Sequence, residues 1–169
     1  METRSHQKGF TLIELVVYVA IMSALVTMVS GLYGMMGKAR EKTALIAAVE
    51  SQGSQAMHVI TQTLRNSRVV SEPGGSVATS TLTITTYAAS STPTVFFTSS
   101  SVLYMTEGST TVPITGSGVV VTSIAFSNHT ASSTNGSVKI VLSLTSATSS
   151  KVTPYSATFY GSGTVRNQL

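Results

Sequence analysis

The chain has 169 residues, and only 9% of them are Asp, Glu, Lys or Arg, against about 25% in an average soluble domain. Cysteine is absent, which excludes disulfides, thiolate metal sites and a cysteine nucleophile. Most of the cations behind the formal net charge of +4 lie before residue 70, so the rest of the chain is nearly neutral. This nearly neutral region lacks the clustered basic face with which nucleic-acid-binding proteins displace counterions. The composition therefore argues against a nucleic-acid partner.

The first 37 residues combine a short polar segment with a long apolar one. Residues 1–9 are polar, and residues 10–37 form an apolar run in which Glu14 is the single charge. The uncharged part, residues 15–37, would measure about 35 Å as a helix at ~1.5 Å per residue. A hydrocarbon core of about 30 Å needs roughly 20 such residues. We therefore predict a transmembrane helix over residues 10–37.

The next segment, residues 38–68, changes to an amphipathic pattern. No residue between Phe10 and Arg68 demands a break, and the first proline, Pro73, lies in a Ser-Glu-Pro-Gly-Gly sequence that is a strong stop signal. We therefore predict one continuous helix whose second half packs one face on a domain. Residues at three- and four-residue spacing would form that face: Leu45, Val49, Gln52, Ala56, Val59, Ile60 and Leu64.

Residues 71–169 have a different composition, since 41 of these 99 residues are Ser or Thr. Short β-branched and aromatic runs alternate with Ser, Gly, Thr and Asn clusters, as strands alternate with turns. The clearest run, residues 138–144, alternates strictly, and Asn135-Gly136 before it fits a tight turn. The fold class is therefore α+β: one long N-terminal α-helix packed on a C-terminal antiparallel β-sheet domain. The predicted strands are Leu82–Tyr87, Thr94–Thr98, Val102–Thr106, Val119–Phe126, Val138–Thr145 and Ser156–Tyr160.

Glu14 is a physical anomaly, because it places a carboxylate close to the start of a membrane helix. A charge in a membrane helix costs at least about 2.5–3.5 kcal/mol and usually has a partner and a function. The sequence Gly-Phe-Thr-Leu-Ile-Glu at residues 9–14, followed by an uninterrupted apolar run, closely resembles the N-terminal signature of type IV prepilins and type II secretion pseudopilins. The resemblance is strong over residues 10–40 and extends to the helical architecture as far as residue 68.

The resemblance implies a maturation and assembly pathway. Residues 1–9 would be a leader peptide, and a prepilin peptidase would cut between Gly9 and Phe10. The same enzyme would N-methylate the new amine of Phe10. Glu14 would then pair with the Phe10 ammonium of a neighbouring subunit as subunits leave the membrane for the filament. The implied partners are the peptidase, other pilins or pseudopilins and an inner-membrane assembly platform.

The C-terminal region resembles particular members of the family more weakly. Its closing segment, residues 157–167, is similar to that of J-type minor pseudopilins and W-type minor pilins. The membrane helix lacks the proline of many major pilins, and the chain has no Asp for the calcium loops of major pseudopilins and no Cys for a pilin disulfide. These departures favour a minor subunit.

Two simpler interpretations of the N-terminus compete with this one. An ordinary secretory signal has an apolar stretch of about 7–15 residues, which this run exceeds, and a plain single-pass anchor gives Glu14 no role. The charges flanking the run favour the opposite orientation, since Arg4 and Lys8 precede it and three cations, Lys38, Arg40 and Lys42, follow it. The motif outweighs that count and predicts a single-pass inner-membrane protein with its C-terminal domain in the periplasm or outside the cell, later part of a filament.

No pattern in the chain indicates catalysis, a metal or a cofactor. His6, His58 and His129 are far apart in sequence, and without Asp no Ser-His-Asp triad can form. We therefore predict a non-enzymatic minor pilin or pseudopilin of a type IV pilus, a type II secretion system or a competence filament. The alternative is a tip-located binding module on such a filament that captures DNA or a glycan through its aromatic and hydroxyl-rich β-domain.

Overall fold

The computed structural model describes residues 10–129, 136–147 and 153–165. It divides into two compact units, Met1–Arg40 and Glu41–Leu169. Helix α1 runs from Leu12 to Arg65 and contributes residues to both units. Within the first unit α1 is the sole element among the described residues.

The part of α1 in the first unit presents apolar side chains on every side. From Leu12 to Met36 its large apolar side chains are exposed. An 18-residue window of α1 has a mean hydropathy of 2.4, and none of its residues is buried. By length and composition, α1 is the one helix in the described part of the chain that could cross a membrane, a criterion that signal sequences also meet.

The second unit packs the C-terminal part of α1 on two antiparallel sheets. The first sheet has the order β1-β2-β3-β4-β5 and the second has the order β6-β7-β8. A single 3₁₀ turn, Ala89–Ser91, precedes the third strand. The strands of the first sheet are β1 Ser67–Glu72, β2 Leu82–Thr86, β3 Thr94–Ser99, β4 Val102–Glu107 and β5 Thr110–Pro113; those of the second are β6 Val119–Asn128, β7 Ser137–Ser146 and β8 Ser156–Thr164.

The face that α1 buries in this unit follows the helical period. Val49, Gly53, Ala56, Ile60 and Leu64 are buried, at spacings of three and four residues that place them on one side of the helix. The sequence predicted four of these five, all except the glycine. The other three predicted positions, Leu45, Gln52 and Val59, lie at the margin of the face and are partly buried.

The central strand of the second sheet shows the expected alternation. Val138, Ile140, Leu142 and Leu144 of β7 are fully buried, because side chains two residues apart point to the same face. β7 pairs with β6 over residues 138–146 on one side and with β8 over residues 137–145 on the other. The predicted α+β layout, a long N-terminal helix packed on antiparallel strands, is confirmed.

The end of the helix differs from the prediction. α1 ends at Arg65 rather than continuing to residue 68, and Ser67 and Arg68 already belong to β1. The buried Ser67 hydroxyl donates a hydrogen bond to the carbonyl of Leu64 at 2.6 Å, which satisfies one of the free carbonyls at the helix terminus. Ser67 also pairs with Thr86 across β1 and β2. Tertiary strand pairing therefore overrides the helical pattern at these residues.

The sheets also differ from the predicted strand set. Strands β1 and β5 were not predicted, and the strands form two sheets rather than one. The predicted strand Leu82–Tyr87 ends at Thr86, while β6 continues to Asn128 and β8 to Thr164. Gly136 directly precedes β7, whereas Asn135 of the predicted turn lies outside the described residues.

Candidate functional site

The start of α1 is fixed by Thr11. The backbone N–H of Glu14 donates to the Thr11 carbonyl at 3.1 Å and lies 3.4 Å from the Thr11 hydroxyl oxygen, while the N–H of Leu15 donates to the same carbonyl at 3.3 Å. Thr11 is therefore the N-cap, and Thr11-Leu12-Ile13-Glu14 has the Thr-x-x-Glu spacing of a capping box. The cap starts the helix one residue after Phe10 and places Glu14 in its first turn, where the helix dipole favours an anion.

Phe10 and Glu14 lie on the same side of the helix start. Together with Leu15, Tyr18 and Val19 they line an open groove of about 380 Å³. Phe10 is 81% exposed and Tyr18 is 67% exposed, so no part of the described chain covers this groove. Glu14 is the single charge in an otherwise apolar and aromatic surface.

This surface can attract a cation. Among the described residues no cation forms an ion pair with Glu14, and its carboxylate is exposed. In hydrocarbon such a group costs at least about 2.5–3.5 kcal/mol unless it is paired. The groove thus offers a carboxylate for an incoming positive group and an apolar wall on either side of it.

The structure brings two of the three predicted site residues together. Phe10 and Glu14 line one groove, whereas Gly9 lies outside the described residues. Cleavage at Gly9, N-methylation of Phe10 and intersubunit pairing of Glu14 stay predictions. Sequence reasoning did not single out Thr11 or Tyr18, although the Thr-x-x-Glu spacing and the four-residue interval from Glu14 to Tyr18 were readable signals.

The histidines do not form a site in the described part of the chain. His58 lies on the exposed side of α1, and His129 is within hydrogen-bonding distance of the Ser127 hydroxyl at 3.3 Å. His6 lies outside the described residues. No group of three or more His, Cys, Asp or Glu side chains that could hold a metal occurs among the residues described.

The segment that contains this groove matches a model of a known protein family. A family model described as the prokaryotic N-terminal methylation motif matches residues 4–30. Comparisons with curated proteins and with solved structures found no significant match. The matched segment contains the predicted cleavage junction, the groove and the first part of the apolar run.

The family match supports a type IV pilin-like or pseudopilin subunit. The motif implies processing by a prepilin peptidase and assembly with other pilins in a filament, and it suggests a structural rather than a catalytic role. The long helix on antiparallel sheets is a pilin-like layout. A single apolar N-terminal helix together with this motif fits a single-pass inner-membrane anchor.

Proposed function

We propose that this chain is a minor pilin or pseudopilin, a structural subunit of a type IV pilus, type II secretion or competence filament. The observation that carries the proposal is the placement of Glu14 beside Phe10 at the capped start of an apolar helix. The family match over residues 4–30 supports the same conclusion. The minor role rests on the absence of Asp and Cys from the sequence.

In the proposed pathway the chain first spans the inner membrane through residues 10–37. A prepilin peptidase cuts between Gly9 and Phe10 and methylates the new amine. The cut turns Phe10 into a positively charged terminus, which is a suitable partner for a carboxylate. Glu14 of one subunit then pairs with the Phe10 ammonium of its neighbour, which offsets the cost of holding the carboxylate in lipid.

The proposed pathway gives the two units different tasks. Residues of the Leu12–Met36 stretch, apolar and exposed in the isolated chain, pack against the same stretch of neighbouring subunits in the filament core. An assembly platform in the inner membrane supports this step, with the C-terminal domain in the periplasm or outside the cell. In the second unit, the buried face of α1 fixes the two sheets to the helix.

Intact mass measurement and N-terminal sequencing of the protein from its native membrane test the proposal. We expect a chain that begins at N-methyl-Phe10. A chain that begins at Met1 would contradict processing by a prepilin peptidase. A chain that begins beyond residue 30 would indicate removal of an ordinary secretory signal and would exclude a filament subunit held by its N-terminal helix.

A further inference from the structure

A polar cavity lies in the second unit, where the last turn of α1 faces the end of β2 and the connection to β3. Its volume is about 460 Å³, which is within the range of about 300–1,000 Å³ typical of small-ligand sites. None of its residues belongs to the Phe10–Glu14 groove. Its lining includes Gln62, Arg65, Asn66, Thr86, Tyr87 and Glu107.

The walls of this cavity are held by local hydrogen bonds. The hydroxyl oxygens of Thr86 and Thr92 are 3.1 Å apart, and the Thr92 hydroxyl also lies 3.2 Å from the Thr86 carbonyl and 3.1 Å from that of Ala88. The N–H of Gly108 donates to the carbonyl of Pro93 at 3.2 Å, which fixes the residue next to Glu107. The main chain on this side of the cavity is therefore fixed before any ligand arrives, so binding requires little ordering of the backbone there.

Four of the side chains that line the cavity have free hydrogen-bonding capacity. Gln62, Arg65 and Asn66 are exposed and Glu107 is partly buried. Within the described residues, no hydrogen bond or ion pair engages these four side chains. Two amides, a guanidinium and a carboxylate together present both donors and acceptors, in planar pairs that can bind two neighbouring groups at once.

The charge and the aromatic content of the cavity indicate the class of ligand. Arg65 and Glu107 balance each other, so the cavity gives little attraction to a strongly charged molecule. Tyr87 is 51% exposed and offers a ring face with negative charge density, which attracts the weakly positive C–H face of a pyranose. Vicinal hydroxyls of the same sugar match planar side chains that donate and accept in pairs.

A second depression adjoins this cavity on the helix. It has a volume of about 310 Å³, shares Gln62, Arg65 and Asn66 with the cavity and extends to Thr61 and His58. Two adjoining depressions that share these side chains suit a chain of several sugar residues better than a single sugar. We propose that these adjoining depressions bind a neutral oligosaccharide. The proposal goes beyond the filament role and does not depend on it.

Purified full-length protein in detergent tests the proposal on an immobilised panel of neutral oligosaccharides built of hexoses and N-acetylhexosamines. Sialylated and sulfated oligosaccharides serve as the charged comparison. We expect binding to at least one neutral member, and a dissociation constant for that member about tenfold higher in Tyr87→Ala, because one aromatic contact is removed. Tyr87→Phe keeps the ring and should bind as the wild type does.

Two control variants make the result specific. Tyr160→Ala removes a tyrosine that is 72% exposed on β8 and lies outside the cavity, so it should leave binding unchanged. Glu14→Ala should also bind normally, which separates this site from filament assembly. If Tyr87→Ala fails to fold, Gln62→Ala provides the same test through lost hydrogen bonds.

Three results would overturn the proposal. These are no binding to any neutral oligosaccharide, binding restricted to the charged members, and equal loss of binding in Tyr87→Ala and Tyr160→Ala. The first two would mean that the cavity does not select a neutral sugar, and the third would place the binding surface elsewhere.

Discussion

Phe159 of β8 lies directly over Gly53 of α1, so close that a Cβ at residue 53 would overlap the aromatic ring. Across the same interface, a Cβ at Gly161 of β8 would overlap the terminal methyl group of Met57 on the helix. Each element thus provides a glycine where the other provides a large side chain. This reciprocal arrangement lets the helix backbone approach β8 closely.

The first prediction is that Gly53→Ala destabilises the second unit. The added methyl group forces the Phe159 ring out of its packed position, and overpacking of this kind costs about 1–3 kcal/mol. Alanine recovers up to about 1 kcal/mol of helix propensity relative to glycine. We expect a net loss of about 1 kcal/mol in the free energy of unfolding, measured by denaturant titration of the full chain in detergent.

The matched control for this variant is Gly75→Ala. A Cβ at Gly75 meets no heavy atom within 4 Å, so this variant should unfold as the wild type does. Combining Gly53→Ala with Phe159→Leu should show a coupling between the two sites, because the smaller side chain leaves room for the methyl group. A Gly53→Ala protein as stable as the wild type would show that Phe159 adapts without cost.

The fold could be predicted largely where one physical pattern dominates a segment. In β7, alternation of apolar residues placed Val138 to Leu144 in the core, and the helical period of α1 identified its buried face. The pattern failed where packing depends on small residues. β8 runs to Thr164 through Gly161 and Gly163, which are poor strand formers in isolation and are used here because the helix lies against them.

Strand β1 was missed for a different reason. No proline or glycine separates Ser67 and Arg68 from the end of the helical pattern that precedes them. The strand forms because Ser67 pairs with Thr86 and Val69 with Thr85, with Arg68 in a register irregularity between the two pairs. Such long-range pairing leaves no local signal in the sequence.

The candidate site was more accessible to sequence reasoning than the cavity in the second unit. Glu14 stands out because a charge within an apolar run is rare. The cavity draws Gln62 and Arg65 from the helix, Tyr87 from a connection and Glu107 from the end of β4. Only the packing of helix and sheet brings these residues together.

The second prediction concerns the contact between Tyr155 and Glu50. The Tyr155 hydroxyl donates a hydrogen bond to a Glu50 carboxylate oxygen at 2.9 Å. This hydrogen bond is the main reason that the pKa of Tyr155 lies above its ordinary value of 10.0, and the negative charge of Glu50 is the second. Because the protonated phenol is favoured in the folded state, its contribution to stability is complete below about pH 10. It is lost as the pH rises through the folded-state pKa.

Glu50→Gln tests this contact. The amide can still accept a hydrogen bond but carries no charge, so the pKa of Tyr155 should move back toward 10.0. The Cζ resonance of ¹³C-labelled tyrosine, assigned by its disappearance in Tyr155→Phe, reports the titration directly. An unchanged midpoint would mean that Glu50 does not govern this phenol.

The third prediction is that Gly9→Leu blocks maturation. In the proposed pathway the small Gly9 directly precedes the cut, and we expect a bulky leucine side chain there to hinder access of the peptidase. We expect the variant to accumulate at full length in the membrane, as measured by intact mass, while Gly9→Ala is still processed. A Gly9→Leu product of native mature size would contradict the peptidase assignment.

The fourth prediction separates assembly from processing. Glu14→Ala leaves the Gly9–Phe10 junction intact, so the variant should be cleaved and methylated as the wild type is. It removes the group that we propose pairs with the incoming ammonium. In the wild type, pairing relieves the cost of an unpaired charge in a membrane helix, and the variant lacks this driving force. That cost exceeds the roughly 1.4 kcal/mol that corresponds to a tenfold change in an equilibrium constant. We therefore expect at least about tenfold less variant in sheared filaments, quantified by mass spectrometry.

Glu41→Ala is the matched control for this variant. It removes a second glutamate of the same helix, beyond the apolar run, and so leaves the proposed pairing intact. Incorporation of Glu14→Ala at the wild-type level would show that the carboxylate has no role in assembly. Equal losses in both variants would mean that the effect comes from a general change in helix charge. A loss confined to Glu14→Ala would identify the groove beside Phe10 as the contact through which subunits join.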